Sequence, residues 1–289
     1  MKRTRIVALL ACSLLAWSMS AASTATYEQA LELYNRTDYA RALSLLRTLP
    51  ETAQNLELTG RSQYLDGDPK RASESLEKAV AKAPADSMKW TWLARAYGRR
   101  AETAFAFAAL GLANKTREAF EKAAQLDPGN LEALNDLFSY YLEAPGMVGG
   151  GHDKARKLLP AIEKLDPPEG ASARARLAEA EKDYAAAERH FLEAAQRAPK
   201  QVGRLLDLAH FFRRRGRPDE GERTFQQAEK MAPDAPIVLY SRAEALIAAK
   251  RDLPRAQALL RQYLASQALT PDDPSRKEAQ KLLAKAQGK

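Results

Sequence analysis

Cysteine is almost missing from these 289 residues, and its one copy, Cys12, sits in an apolar N-terminal stretch. A single thiol forms no internal disulfide, and a zinc site built on cysteine is excluded. Histidine is scarce too: His152, His190 and His210 are the only copies and lack the spacing of metal ligands, so no metal is expected. Aromatic residues make up 7% of the chain, and no long run is rich in Val, Ile or Thr, which argues against a sheet. No Ser/His/Asp set or pair of carboxylates stands out by its spacing. The sequence therefore assigns no catalytic residue and no cofactor, and we expect a protein that is not an enzyme.

What the chain does contain is Ala and Leu, which dominate its 45% of hydrophobic residues, beside 28% of charged ones. That is the composition of an all-α protein. The formal net charge is +8. Loss of Lys2, Arg3 and Arg5 with the leader described next would lower it to about +5, too little to argue for a nucleic-acid partner.

Residues 1–22 begin with those three cations, continue through an apolar core from Ile6 to Trp17, and end with the small residues Ser20 and Ala22. This pattern predicts a cleaved secretory signal peptide and a periplasmic or secreted protein. The apolar core is about 12 residues, short of the roughly 20 that span a bilayer, so no transmembrane segment is expected after cleavage. A second reading stays open. Leu9-Leu10-Ala11-Cys12 is similar to a bacterial lipobox, which would attach the protein to the outer membrane through Cys12.

The rest of the chain is organised around residues 202–235. Leu205, Leu208, Ala209 and Phe212 recur at helical spacing, Gly221, Phe225 and Ala228 mark a second helix, and Pro233 ends the unit. The unit resembles a tetratricopeptide repeat, whose first helix follows the pattern W-x2-L-G-x2-Y. Trp90, Leu93, Ala94 and Tyr97 give the best local match. Further copies are read at Leu31 to Pro50, Leu56 to Pro84, Leu134 to Pro167, Ala175 to Pro199 and Leu239 to Tyr263. The resemblance implies a right-handed superhelical solenoid of about seven helical hairpins over residues 26–268, closed by a capping helix and tail at 269–289.

Two units depart from the plain repeat, with insertions near 99–113 and at 144–153. Both fall in hairpin loops of consecutive repeats and are expected on one edge of the solenoid. There Phe105 and Phe107 would pack under Pro145, Met147 and Val148, either as a structural plug or as a second contact surface. The glycines from Gly146 to Gly151 invite a phosphate-loop reading, but His152-Asp153 stands where Lys and Ser or Thr are needed.

In the resembled family the first helices line a concave groove, and the residue after the small one faces it. Here this implies Arg61, Arg95, Arg176 and His210, with Arg99, Arg213 and Arg214 one turn further on. The expected ligand of that basic groove is an acidic or carboxylate-ended protein segment. The alternative is a solvated face of long side chains, since Glu132, Glu143 and Glu179 are interspersed. Leu58, Trp92, Asp136, Ala173 and Asp207 stand where the family's co-chaperones carry a Lys and Asn carboxylate clamp, so that mode is not expected. Trp90 reads as core and Trp92 as exposed. The functions implied are a protein-binding scaffold of the bacterial cell envelope, a periplasmic holder of unfolded chains, or an accessory subunit of an envelope enzyme, with self-association open.

Overall fold

The computed structural model describes residues 23–288, so the leader read at 1–22, with Cys12, lies outside the described residues. Within them all regular structure is helical, and the helices pair as hairpins. The pairs are α1 (23–35) with α2 (Tyr39–Leu46), α3 (Ala53–Leu65) with α4 (Pro69–Lys82), and α5 (Ser87–Ala101) with α6 (Ala106–Leu126). Next come α7 (Leu131–Glu143) with α8 (His152–Leu165) and α9 (Pro167–Ala180) with α10 (Tyr184–Arg197). Then follow α11 (Val202–Arg214) with α12 (Pro218–Met231) and α13 (Pro236–Ala248) with α14 (Leu253–Ala265). α15 (Arg276–Ala286) ends the stack.

Local chemistry sets where these helices begin. The side chains of Asp38, Thr52, Asp68, Asp86, Asn130, Asp166, Asp183 and Asp252 each accept from an N–H of the first turn, satisfying a donor the helix leaves orphaned. Ser275 and Glu278 form a reciprocal capping box on α15. The tight turns within five hairpins pass through a residue of positive φ: Thr37, Gly67, Lys182, Gly216 and Lys250. The seventh hairpin's turn has a second such residue, Asp252; the longer loop of the fourth has two, Gly149 and Gly151, and the loop of the third has none.

Small residues let the two helices of a hairpin approach. Ala42, Ala72, Ala94, Ala155, Ala175, Ala187, Ala209, Ala228, Ala243 and Ala256 have no exposed surface. At Gly60 the approach is close enough that a Cβ would lie 2.5 Å from Leu76 Cγ. Beyond the hairpins, α3 packs on α5, α5 on α7, α7 on α9 and α11 on α13, so first helices form one layer and second helices the other. The apolar core runs between the layers as a chain of clusters, from Tyr34, Tyr39 and Leu46 at one end to Leu260, Tyr263 and Leu269 at the other.

The end of the stack returns to its start. Arg276 Nε donates to Thr37 Oγ1 at 3.3 Å, Lys277 Nζ lies 2.7 Å from Asp66 Oδ1, and Arg99 Nη2 lies 3.2 Å from Glu278 Oε1. The first turn of α15 thus touches the ends of the first three hairpins, as a clasp that joins the two ends of the solenoid. Among the described residues no helix is long and apolar enough to cross a membrane.

Candidate partner-binding surface

The first helices bring Arg61, Arg95, Arg176, His210, Arg213 and Arg214 onto one layer, with Arg99 near its hairpin end. Most of these cations are already held by groups of the protein. Arg61 Nε donates to the Tyr34 hydroxyl at 3.1 Å, and its Nη1 lies 3.4 Å from Glu57. Arg95 reaches the next repeat, 2.6 Å from Asp136 and 3.0 Å from Glu132. Arg176 reaches back to Ser139 at 2.9 Å and to Glu143 at 3.4 Å. Arg214 makes a two-pronged pair with Glu179 at 2.9 and 2.8 Å. Arg99 is shared between Glu102 and Glu278. The face expected to be a free basic groove is therefore largely a set of ion pairs that stitch each repeat to its neighbour. For Arg95, Arg176 and Arg214 the acids lie on the first helix of the adjoining repeat, so their charges cancel across repeat boundaries, while Arg61 meets Glu57 on its own helix.

Aromatic rings support this network, and here Trp92, expected to be exposed, is buried, while Trp90 packs against the core as expected but is only partly buried. Trp92 is 6% exposed, whereas Trp90 is partly buried and its indole N–H donates to Pro84 O at 2.9 Å. The cause is the pair of guanidinium groups over the Trp92 ring, Arg61 at 4.8 Å and Arg95 at 4.6 Å, while Arg61 also lies 5.0 Å from the Tyr34 ring. Tyr34, Arg61, Trp92 and Arg95 form a continuous stack along the first helices. The Trp92 Nε1 is buried without a hydrogen-bond partner.

Arg213 differs from the other arginines of this surface. It makes no ion pair with a carboxylate among the described residues. Its one side-chain hydrogen-bond contact is His210 Nδ1 at 3.5 Å, and its buried Nε has no partner. It borders a cavity of about 410 Å³ with Arg176, Asp207, His210, Arg214 and Glu244. The His210 ring stands edge-on to Phe225 at 5.2 Å. Burial, reinforced by the cations Arg213 and Arg214, pushes its pKa down to about 4, so it is neutral at pH 7. Burial also raises the Asp207 carboxyl above its ordinary range, against the pull of Arg204. The cavity therefore offers one unpaired guanidinium, a neutral imidazole and two carboxylates.

The two insertions do meet, though not through the side chains expected. Phe105 and Phe107 are 93% and 94% exposed, and Met147 is 79% exposed, so none of them packs under the loop. The extra residues instead lengthen a helix. α6 has 21 residues where α4, α8, α10 and α12 have 14, and the phenylalanines stand at its free end. The contact is made further back by Tyr140, whose hydroxyl lies 2.9 Å from Ala113 O and 2.8 Å from Val148 O. Val148 is buried, in a short 3-10 turn at Gly146–Val148. Pro145 lines a cavity of about 460 Å³ with Arg95, Arg99, Ala113 and Tyr140. Sequence reasoning misses Tyr140 because it treats the insertions as loops that close on each other, whereas the longer helix carries the phenylalanines past the loop. Among the described residues no group of three or more His, Cys, Asp or Glu is placed to hold a metal ion.

Comparison with known proteins agrees with this architecture. Residues 206–274 match the tetratricopeptide repeat family. A thermophilic tetratricopeptide-repeat protein from Thermus thermophilus superposes with a TM-score of 0.55 at 21% identity, covering 66% of this chain and 98% of its own. A tetratricopeptide repeat protein from Parabacteroides merdae gives 0.59 at 14% identity, covering 92% and 99%. At these identities the likeness is one of fold. No curated protein matches the chain in sequence.

Proposed function

We propose that this tetratricopeptide-repeat solenoid is a non-enzymatic scaffold of a bacterial cell envelope, holding an acidic segment of a partner protein on the first-helix face of its fifth to seventh hairpins. Repeats of this family generally mediate protein–protein contacts. The envelope part rests on the leader pattern at 1–22. The observation that carries the site is Arg213: it is the one cation of that face without a carboxylate among the described residues, and it borders a cavity. An entering carboxylate would complete this guanidinium as Asp136 completes Arg95 and Glu179 completes Arg214. Arg95, Arg176 and Arg214 then position the neighbouring hairpins and do not themselves hold the ligand.

The test is crosslinking and capture from the native envelope, comparing the wild type with Arg213→Gln and with Arg95→Gln, after circular dichroism confirms unchanged helicity. One saturable partner, reduced about tenfold or more by Arg213→Gln, is the expected result, as loss of a charge-assisted pair costs about 1.5–3 kcal/mol. Retention of that partner by Arg213→Gln defeats the assignment. A broad, weak set of captured chains defeats the scaffold reading in favour of a holder of unfolded proteins.

A further inference from the structure

The third hairpin ends in a feature that partner binding on the first-helix face does not use. Phe105 precedes α6 and Phe107 sits in its first turn, both almost wholly exposed. Burying such a ring is worth about 1.5–3 kcal/mol, so the tip leaves a substantial driving force unspent. Residues 103–114 contain no charged side chain, and neither do residues 144–151, which carry the exposed Met147 beside them. Seven residues longer than α4, α6 projects by about 10 Å, far enough to meet a surface that the rest of the solenoid does not touch.

Three observations favour an extended apolar medium over a pocket on a protein. Phe105, at the extended residue before the helix, and Phe107, in its first turn, do not continue one helical row of the kind a groove takes. The uncharged run extends from the rings along the helix to Asn114. Charges then follow: Lys115 is exposed with its Nζ 5.3 Å from the Tyr97 ring, Arg100 on the adjoining helix bonds Ser73, and Lys154 lies beside the loop with its Nζ on Gly149 O, while the acids nearest the run in sequence are Glu102 and Glu118. Lys115 is eight residues after Phe107, or about 12 Å along the helix. Side chains that enter a bilayer interface by about 5–10 Å would place that ammonium at the level of the headgroups. We propose that the tip formed by Phe105 and Phe107 docks the solenoid onto an anionic lipid surface, with Lys115 at the phosphates.

The test uses the full chain with Cys12→Ser and a single reporter cysteine, Ala108→Cys, exposed beside the two intact rings and carrying an environment-sensitive fluorophore. A control places the reporter at Gln227→Cys, exposed on α12. Vesicles containing phosphatidylglycerol should shift the emission at 108 to the blue and leave 227 unchanged, while phosphatidylcholine vesicles should act more weakly. Adding Phe105→Ser should weaken the vesicle affinity read at 108 about tenfold. An unshifted reporter at 108 overturns the proposal, and so does an affinity that Phe105→Ser leaves unchanged. A blue shift that grows with protein concentration in the absence of vesicles overturns it in favour of a second copy of the chain.

Discussion

Burial holds the His210 imidazole neutral, and this has a sign that can be measured. Its pKa is about 4 in the folded protein against an ordinary 6.5. Between those values the unfolded chain takes up a proton that the folded one refuses, so stability is complete above pH 6.5 and is lost as the pH falls towards 4. The whole effect is on the order of 3 kcal/mol. His210→Asn removes the titration, so urea midpoints of the variant should fall less than those of the wild type between pH 7 and pH 4.5. Parallel losses in the two proteins would show that the imidazole is not the group responsible. At this scale the sequence reveals positions better than environments. The repeat pattern brings Arg61, Arg95, Arg176 and Arg214 to one face, but while Glu57 meets Arg61 at i,i+4 on one helix, neutralisation by Asp136, Glu143 and Glu179 depends on which repeat edges meet. A sequence signal exists: the acids lie on the first helices of the same or an adjoining repeat. Trp92 escapes a sequence reading for the same reason, because the guanidinium groups that cover it come from two different repeats.

The hairpin is the scale at which the sequence is most legible, since small residues, caps and turn residues all act within a few positions of one another. Gly60 and Gly111 make the point by contrast. Both sit inside helices, yet a methyl at Gly60 would lie 2.5 Å from Leu76 Cγ, while Gly111 has nothing within 4 Å. Gly60→Ala should cost about 1–3 kcal/mol through overpacking. Gly111→Ala should gain about 0.5–1 kcal/mol from the better helix former. Urea unfolding of the two variants checks both signs at once, and a loss at Gly111 would mean that α6 is not a continuous helix there. The third hairpin is where legibility runs out. Its Ala-rich insertion signals helix, but the residues do not say whether the helix folds back or runs on, because that depends on Tyr140 finding Ala113 and Val148 at once.

For the molecule as a whole, the clasp between α15 and the first three hairpins is made of two exposed ion pairs, Lys277 with Asp66 and Glu278 with Arg99, and a half-buried hydrogen bond from Arg276 to Thr37. Such contacts are weak singly and screened by salt. Replacing Lys277→Glu together with Arg99→Glu, which leaves the Ser275–Glu278 capping box intact, should therefore open the two ends without unfolding the hairpins. Small-angle scattering should show a larger radius of gyration at unchanged helicity, and the wild type should expand in the same direction as salt is raised. An unchanged radius would mean that the apolar contacts of the terminal hairpins hold the ends together by themselves. The capping helix is readable from its polar sequence, but its return to the first hairpins is not, since contacts separated by 179 to 239 positions follow only from the accumulated turn of the whole stack. That return also bears on time. For the partner segment proposed above, a segment flanked by folded domains would enter such a closed circuit only while α15 is lifted. Its rates of capture and escape would then follow how often the clasp opens, and both would rise together as salt is raised.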